Sequence, residues 1–507
     1  MQVCAAGSGK MRQMSKPSNQ QDLTQGPIAR TLLVFALPIL AGNVLQSLNG
    51  SVNAIWVGRF LGEQALAATA NANNIMFFLI GAVLGVGMAA TILVGQAMGA
   101  KDIAQAKRVI GTSATFFFGV SVVIALLGLP LSRRILLWMA TPAESLPLAE
   151  AYLRIIFMAV PFLYMFAFLS AILRGSGDTR TPFIFLMLAV LFDIVLNPLL
   201  IFGIGPLPEM GIAGSAMATL VANGISLAAM ILWLRHRRHP LWINRSENHV
   251  YKPDLAILRA LIVKGVPMGL QMIVISLAMI MMISMVNAYG VNYASAYGAA
   301  LQLWTYVQMP AMAIGAACSS MAAQNVGAGR WDRVDATART GVLFNFLLTG
   351  ALIAPIILAD RLTLSLFLPE GSAALANASH LNHIAVWSFL FFGVTFVVSG
   401  VVRATGAVLP PLIILGIALW GIRIPFAKLL QPTLGVDAIW WSFPASALCA
   451  MLMSLAYYKW GGWRNATMLS RDPREVAMPA EVPAHPPSPV ADRTPEQSSA
   501  SNIGSAG

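Results

Sequence analysis

Twelve apolar runs, each long enough to cross the roughly 30 Å hydrocarbon core of a bilayer, dominate this chain. They lie near 30–57, 66–97, 109–131, 150–173, 181–205, 211–235, 257–289, 295–323, 338–359, 381–403, 408–430 and 436–459. Only 10% of the residues are charged, whereas soluble domains have about 25%. Because a spanning helix satisfies its backbone hydrogen bonds internally, the sequence predicts an all-α polytopic membrane protein with twelve transmembrane helices.

One of these runs carries an aspartate near its middle. Asp193 lies in the segment FDIVLNPLLIFG, and the other acidic residues lie in tails, in short loops or at the ends of apolar runs. Asn197 follows on the same helix face, and Pro198 frees the carbonyl group of Ile194. An ionisable group inside the membrane marks a functional site, so we predict that Asp193 and Asn197 couple transport to an ion. A structural role in helix packing is the alternative for both.

Amides and one indole extend this candidate site to other helices. On the first helix, Gln46, Asn49 and Asn53 recur at helical spacing and form one polar stripe. The predicted lining of a substrate cavity comprises Gln46, Asn49, Asn43, Asn71, Asn74, Gln271, Gln302 and Trp304, while Asn53 joins the coupling site. The alternative is that these side chains form interhelical hydrogen bonds, each worth about 0.6 kcal/mol in membranes.

The chain is an internal repeat. The only long polar break, residues 235–253, separates two halves of six runs each. The motif QAMGA at 96–100 recurs as QNVGA at 324–328, and Arg174 recurs as Arg403. Because each half has an even number of spans, the two repeats must lie parallel and be related by an axis along the membrane normal.

This pattern predicts a domain organisation. The expected parts are a disordered cytoplasmic tail at 1–26, an amino-terminal lobe at 27–236, a cytoplasmic linker at 237–256, a carboxy-terminal lobe at 257–460 and a second disordered cytoplasmic tail at 461–507. Three prolines within apolar runs, Pro38, Pro198 and Pro267, are candidate hinges because proline loosens a helix. Folds of this kind expose a cavity to alternate sides of the membrane.

The basic residues indicate orientation. The net charge is +12, but the arginines and lysines are spread over short loops at the membrane edges, so nucleic acid is not an expected partner. Their alternation places both termini in the cytoplasm, with Arg133 and Arg134 as exceptions, and the cytoplasmic or inner membrane is the expected location. For Arg423 and Lys428, in the eleventh run, the expectation is that both side chains reach the membrane surface.

No enzyme site is visible. Cys4, Cys318 and Cys449 lack metal-ligand spacing, so we expect neither a metal nor a disulfide. The glycine-containing loops lack the Lys-Ser/Thr pair of a phosphate loop, which argues against an ATP-driven pump. Since no catalytic constellation is present either, the sequence predicts a protein that is not an enzyme and needs no cofactor.

Four segments resemble one transporter family. PILAGNVLQSLNGSVNAIWVGRFLG at 38–62, VGQAMGAKD, LRGSGDTRTP and LNPLLIFGIGPLPEMGIAGSAMAT at 196–219 are similar to motifs of the multidrug and toxic compound extrusion (MATE) family. The resemblance runs from about Gly26 to Lys459. It implies two six-helix bundles that form a V, and the exchange of organic cations for protons or sodium.

Within that family, the chain resembles the DinF-type branch, because helices seven and ten lack acids and have Ile275 and Phe392 at the aligned positions. It also departs from the pattern. The family's first-helix aspartate corresponds to Asn53, and the usual Asn-x-x-x-Asp-Pro appears as Asp193 and Asn197 before Pro198. With one acid, a proton fits the site better than sodium does.

The expected function is therefore export of amphipathic organic cations or drugs in exchange for protons, by alternating access of two lobes of a monomer in the lipid bilayer. One alternative is a flippase or exporter of a lipid-linked or anionic metabolite, which would need a basic cavity and depend little on Asp193. Sodium-coupled exchange is another. A non-transporting membrane scaffold is least favoured, because it needs neither a repeat nor a buried acid.

Overall fold

The computed structural model describes residues 21–469, except 140, 206–207 and 244. Within these residues the helices are α1 Ile28–Leu61, α2 Glu63–Gly99, α3 Ile103–Trp138, α4 Leu146–Ser176, α5 Arg180–Phe202, α6 Ile212–His236, α7 Leu255–Asn287, α8 Val291–Gly327, α9 Trp331–Leu358, α10 Asp360–Ser365, α11 Ala373–Ala385, α12 Ser388–Arg403, α13 Leu409–Gly416, α14 Ile424–Leu434 and α15 Asp437–Trp460. A π-helical turn, Ile417–Arg423, joins α13 to α14. Helices thus account for all twelve predicted apolar runs.

Two of the spans are not simple helices. The run predicted at 381–403 is divided between α11 and α12, which are bent by 45° at their junction. The run predicted at 408–430 consists of α13, the π-helical turn and α14, which together form the span Leu409–Leu434. Nine spans of the described chain are long and apolar enough to cross a membrane, and the bent pair makes a tenth.

The remaining two spans, α2 and α8, lie at the centre of the bundle. α2 packs against α4, α7 and α8, and α8 packs against α1, α2, α9 and α12, so each contacts both halves of the chain. Their interiors are rich in alanine and glycine. Small residues let transmembrane helices approach closely, so α2 and α8 can pack against several neighbours.

Glycines in the repeated motif allow α2 and α8 to cross. A Cβ atom added at Gly99 would overlap the carbonyl oxygen of Gln324, and one added at Gly327 would overlap the carbonyl oxygen of Gln96. A third close approach joins α2 to α7, where a Cβ atom on Gly85 would overlap the backbone of Gly269. These positions require glycine because backbone meets backbone.

The same motif ties the two halves together by reciprocal hydrogen bonds. Gln96 Nε2 donates to the carbonyl oxygen of Ala404 at 2.7 Å, and Gln324 Nε2 donates to that of Gly175 at 2.9 Å. Ala404 and Gly175 follow the recurring Arg403 and Arg174. Both bonds lie at the end of the bundle where the described chain begins and stops, which we call the terminal end. Its loops include 100–102, 177–179, 328–330 and 404–408.

Residues 21–26 differ from the predicted tail. Leu23 is fully buried, and its carbonyl oxygen accepts from Asn325 Nδ2 at 3.2 Å. Gln21 N donates to the carbonyl oxygen of Gly177, and Arg330 donates to that of Thr24. This short segment therefore contacts both halves. An apolar side chain and several backbone hydrogen bonds fix it at the terminal end.

The second predicted tail also begins with packed residues. Trp463 is fully buried, and its carbonyl oxygen accepts from Thr405 Oγ1 at 2.8 Å. The described chain continues to Leu469. Residues 1–20 and 470–507, which make up the rest of the two predicted tails, lie outside the described residues.

Candidate functional site

Asp193 lies within α5 and is 3% exposed. The helix ends nine residues later at Phe202, which places the carboxylate about 14 Å from the helix end at a rise of 1.5 Å per residue. The group is therefore inside the membrane-spanning part of the bundle. None of the ion pairs among the described residues includes Asp193.

Hydrogen bonds from two other helices hold the carboxylate. On α1, Asn49 Nδ2 and Asn53 Nδ2 both donate to Asp193 Oδ2, at 2.9 and 2.8 Å. On α6, Thr219 Oγ1 donates to Asp193 Oδ1 at 3.1 Å. Hydrogen bonds to a carboxylate are charge-assisted and stronger than bonds between neutral groups. The polar stripe on α1 thus faces the predicted acid.

Asn197 completes the cluster from one turn further along α5. Its Nδ2 donates to Asn53 Oδ1 at 2.8 Å, and Asn197 itself is fully buried. Two buried amide oxygens, Asn49 Oδ1 and Asn197 Oδ1, have no hydrogen-bond partner among the described residues. A carboxylate beside two free carbonyl-type oxygens makes a site rich in acceptors, which suits a proton or a small hard cation.

Thr219 was not among the predicted site residues. A signal for it exists in the sequence, because Ser215, Thr219 and Asn223 recur every four residues along α6, as the amides of α1 do. Tyr152, buried in α4, also lies near Asp193. Aromatic residues are frequent in these helices, so no comparable pattern marks Tyr152 in the sequence.

The other predicted cavity residues lie apart from this cluster. Gln271 Oε1 accepts from Arg403 at 2.9 Å, and Trp304 Nε1 donates to Asn382 Oδ1 at 3.0 Å inside the second half. Trp304 packs in an aromatic cluster with Tyr297 and Phe443. Gln46 and Gln302 are exposed, Asn43 is half-buried, and the side chains of Asn71 and Asn74 lie outside the described residues.

The three predicted hinge prolines lie inside helices that continue through them. Pro38 belongs to α1, Pro198 to α5 and Pro267 to α7. Each removes one backbone amide donor without breaking its helix. Their role as hinges stays a prediction.

Arg423 was expected to reach the membrane surface, but its side chain turns inward instead. Its Nε donates to Ser446 Oγ at 2.8 Å, and its guanidinium carbon lies 4.5 Å from the centre of the Phe443 ring. Both partners belong to α15 and are buried. Lys428, one turn further on, is exposed as expected. The guanidinium group is drawn inward by a hydroxyl acceptor and an aromatic face.

Comparisons with known proteins agree on one family. The model of the family described as MatE matches residues 38–199 and 267–429. The probable multidrug resistance protein YoeA of Bacillus subtilis is 37% identical over 89% of this chain and 97% of its own length. The probable multidrug resistance protein YpnP of the same organism is 35% identical over 87% of this chain and 97% of its own length.

A solved structure supports the same assignment at the level of fold. An outward-facing multidrug resistance MATE family transporter of the MOP superfamily superposes with a TM-score of 0.80, at 20% identity, over 88% of this chain and 98% of its own. This likeness confirms the predicted fold class of twelve helices in two lobes. The chain therefore belongs to the MATE family, whose members are membrane transporters and not enzymes.

Proposed function

We propose that this protein exports amphipathic organic cations or drugs in exchange for protons, with Asp193 as the coupling carboxylate. The observation that carries the proposal is a buried acid within a membrane span, held by Asn49, Asn53 and Thr219 and lacking a basic partner among the described residues. A buried charge retained without a salt bridge is expensive in a membrane, so it favours a role in binding. The two Bacillus subtilis relatives are named probable multidrug resistance proteins, which is consistent with this substrate class.

The chemistry follows from the two forms of the carboxyl group. When ionised, Asp193 accepts from its three donors and leaves a negative site that attracts an organic cation. When protonated, it becomes a donor, and the free oxygens of Asn49 and Asn197 can accept its proton. Protonation from one side of the membrane thus releases the cation, and deprotonation toward the other side restores the charge.

Alternating access needs the terminal end to open and close. The reciprocal bonds of Gln96 and Gln324 close it in this structure, and they must break when the two lobes separate there. We assign the terminal end to the cytoplasm, because the basic loops accumulate on that side. In this proposal the protein works as a monomer in the bacterial cell membrane and belongs to the DinF-type branch.

Sodium coupling is the second candidate. The cluster of Asp193 oxygens and two free amide oxygens is the kind of ligand set that a hard cation accepts, and this favours sodium as the alternative ion. Efflux of a fluorescent lipophilic cation from proteoliposomes under an imposed pH gradient, in sodium-free buffer, tests the proposal. Efflux that follows the pH gradient supports proton exchange, whereas efflux only after sodium is added assigns the coupling to sodium.

A second carboxylate beside Asp193 should move the pH dependence of transport. The Nδ2 atom of Asn53 lies 2.8 Å from Asp193 Oδ2, so Asn53→Asp places two like charges in contact. Such a pair shares one proton, and we expect the pH midpoint of efflux to rise by about one unit or more. Asn53→Ser, which adds no charge, is the control. An unchanged midpoint in Asn53→Asp, measured over a series of external pH values, would contradict the proposed role of this carboxylate.

Loss of the reciprocal glutamine bonds should open the terminal end. Each bond contributes about 1 kcal/mol, so the double variant Gln96→Ala/Gln324→Ala should raise the population open at that end by more than about tenfold. A cysteine at Ala323, which faces Gly95 across the α2–α8 crossing, reports this opening through its rate of maleimide labelling. The three native cysteines are replaced, and Gln302→Ala, at an exposed site on α8, is the control. Equal labelling rates in all variants would show that these bonds do not hold the end closed.

A further inference from the structure

The position in the second half that corresponds to Asp193 carries the opposite charge. The two ranges that match the family model, 38–199 and 267–429, are offset by 229 residues at their starts and by 230 at their ends. The start of α5 at Arg180 and the start of α13 at Leu409 keep the first offset. The π-helical turn Ile417–Arg423 follows, and such a turn inserts one residue into a helix. Arg423, the last residue of this turn, lies 230 residues after Asp193 and is therefore its equivalent.

The surroundings of the two residues correspond in one respect, a hydroxyl group from the sixth span. In the first half, the sixth span α6 supplies Thr219 to Asp193, and in the second half the sixth span α15 supplies Ser446 to Arg423. The first-helix amides have no counterpart, because the polar stripe of α1 is replaced on α7 by alanine and methionine. The guanidinium group instead lies against the ring of Phe443, which packs against the buried Tyr297 of α8.

Arg423 has no acidic partner within the part of the chain that the structure describes. It belongs to none of the ion pairs formed by the described residues, although it lies near the middle of the span Leu409–Leu434. Its one hydrogen bond to a side chain uses Nε, while a guanidinium group has five N–H donors. The burial of a charged group at this depth is costly unless a partner offsets it. An arginine without an acidic partner therefore points to a ligand that is itself an anion.

We propose that Arg423 is the residue that binds the carboxylate of those amphipathic organic substrates that carry one. The planar fork of a guanidinium group matches a carboxylate through two parallel hydrogen bonds. The ring of Phe443, 4.5 Å from the guanidinium carbon, adds an apolar contact beside the charge. This inference rests on the proposed function only for the transport of the bound molecule, because the binding itself does not involve Asp193.

A pair of dyes that differ by one group tests the site. Tetramethylrhodamine carries a free carboxylate, whereas its methyl ester is a cation with the same ring system. Binding of each dye to the purified full-length protein in nanodiscs is measured by fluorescence anisotropy at neutral pH. Arg423→Gln should lower the affinity for the carboxylate dye by about tenfold to a hundredfold, which is the range for a lost charged hydrogen bond. It should change the affinity for the ester by less than about twofold.

Arg423→Lys separates charge from geometry. Lysine keeps the positive charge but not the planar fork, so the affinity for the carboxylate dye should fall to an intermediate value. Lys428→Gln, which removes an exposed charge from α14 in the same span, should leave the affinities for both dyes unchanged. Equal losses for both dyes in Arg423→Gln, or no loss for either, would overturn the assignment and leave Arg423 a packing role.

A competition experiment on the native protein covers the case in which Arg423→Gln does not fold. Benzoate should displace the carboxylate dye but not the ester, and its failure to do so overturns the proposal. If the proposed function were wrong, the result would differ. The pH gradient would drive no efflux of the ester, but Arg423→Gln would still weaken binding of the carboxylate dye alone.

Discussion

Replacement of Asp193 by asparagine is expected to abolish transport driven by a pH gradient. With one proton exchanged per monovalent cation, each pH unit supplies about 1.4 kcal/mol, or about a tenfold accumulation of the cation. An amide cannot take up or release this proton, but its oxygen can still accept from Asn49 and Asn53, so the helix contacts should persist. Accumulation of a fluorescent lipophilic cation in proteoliposomes, at several imposed gradients, measures the effect.

Asp332→Asn is the matched control for this experiment. Asp332 lies exposed in the first turn of α9, so its replacement removes one carboxylate without touching the cluster. We expect this variant to accumulate the cation as the native protein does. If Asp193→Asn also kept gradient-dependent accumulation, Asp193 would be a packing residue and the proposed coupling would be incorrect.

Replacement of Gly327 by alanine is expected to slow the transport cycle by preventing the close crossing of α2 and α8. A Cβ atom at this position would overlap the carbonyl oxygen of Gln96, so α2 and α8 could not cross as they do here. Overpacking of this kind costs about 1–3 kcal/mol when the backbone can shift, and more when it cannot. Because each cycle requires the terminal end to close again, we expect the rate of cation efflux to fall by about tenfold or more.

Gly298 offers a control on the same helix. A Cβ atom added there would have no atom within 4 Å, so Gly298→Ala introduces the same methyl group without a clash. This variant should transport at the native rate, and both variants should show cooperative thermal unfolding. Native transport by Gly327→Ala would show that the close crossing of α2 and α8 is not required in the cycle.

Much of the architecture could be predicted because membrane insertion leaves few alternatives. Apolar runs of sufficient length must be helices, and the recurrence of QAMGA as QNVGA revealed the two halves. Asp193 was recognisable as the one acid in the middle of a span. Its partners Asn49 and Asn53 followed from spacing, because residues three or four apart lie on one helix face.

Other features depend on which way a helix is rotated, and the sequence of one helix does not determine this. Arg423 was expected at the surface, but it is the last residue of the π-helical turn and its guanidinium group bonds to Ser446. Trp304 was placed in the cavity, although an acceptor on Asn382 holds it inside the second half. In both cases a partner distant in the chain decides the orientation.

The packed segment 21–26 was missed for a similar reason. Composition alone predicts disorder for a short polar stretch, because it contains too little apolar surface to form a core. Here a single leucine, Leu23, is buried in the bundle, and the carbonyl oxygens of Leu23 and Thr24 accept from Asn325 and Arg330. Such docking depends on the folded bundle rather than on the segment itself.

The most direct test of the account is to count the protons released when a cation binds. Tetraphenylphosphonium is added to the purified protein in weakly buffered solution, and the pH change is followed from acidic to alkaline conditions. The native protein should release up to one proton per bound cation at acidic pH and none at alkaline pH, while Asp193→Asn should release none. Binding without proton release at every pH, or equal release by the native protein and Asp193→Asn, would contradict the claim that proton and cation alternate at Asp193.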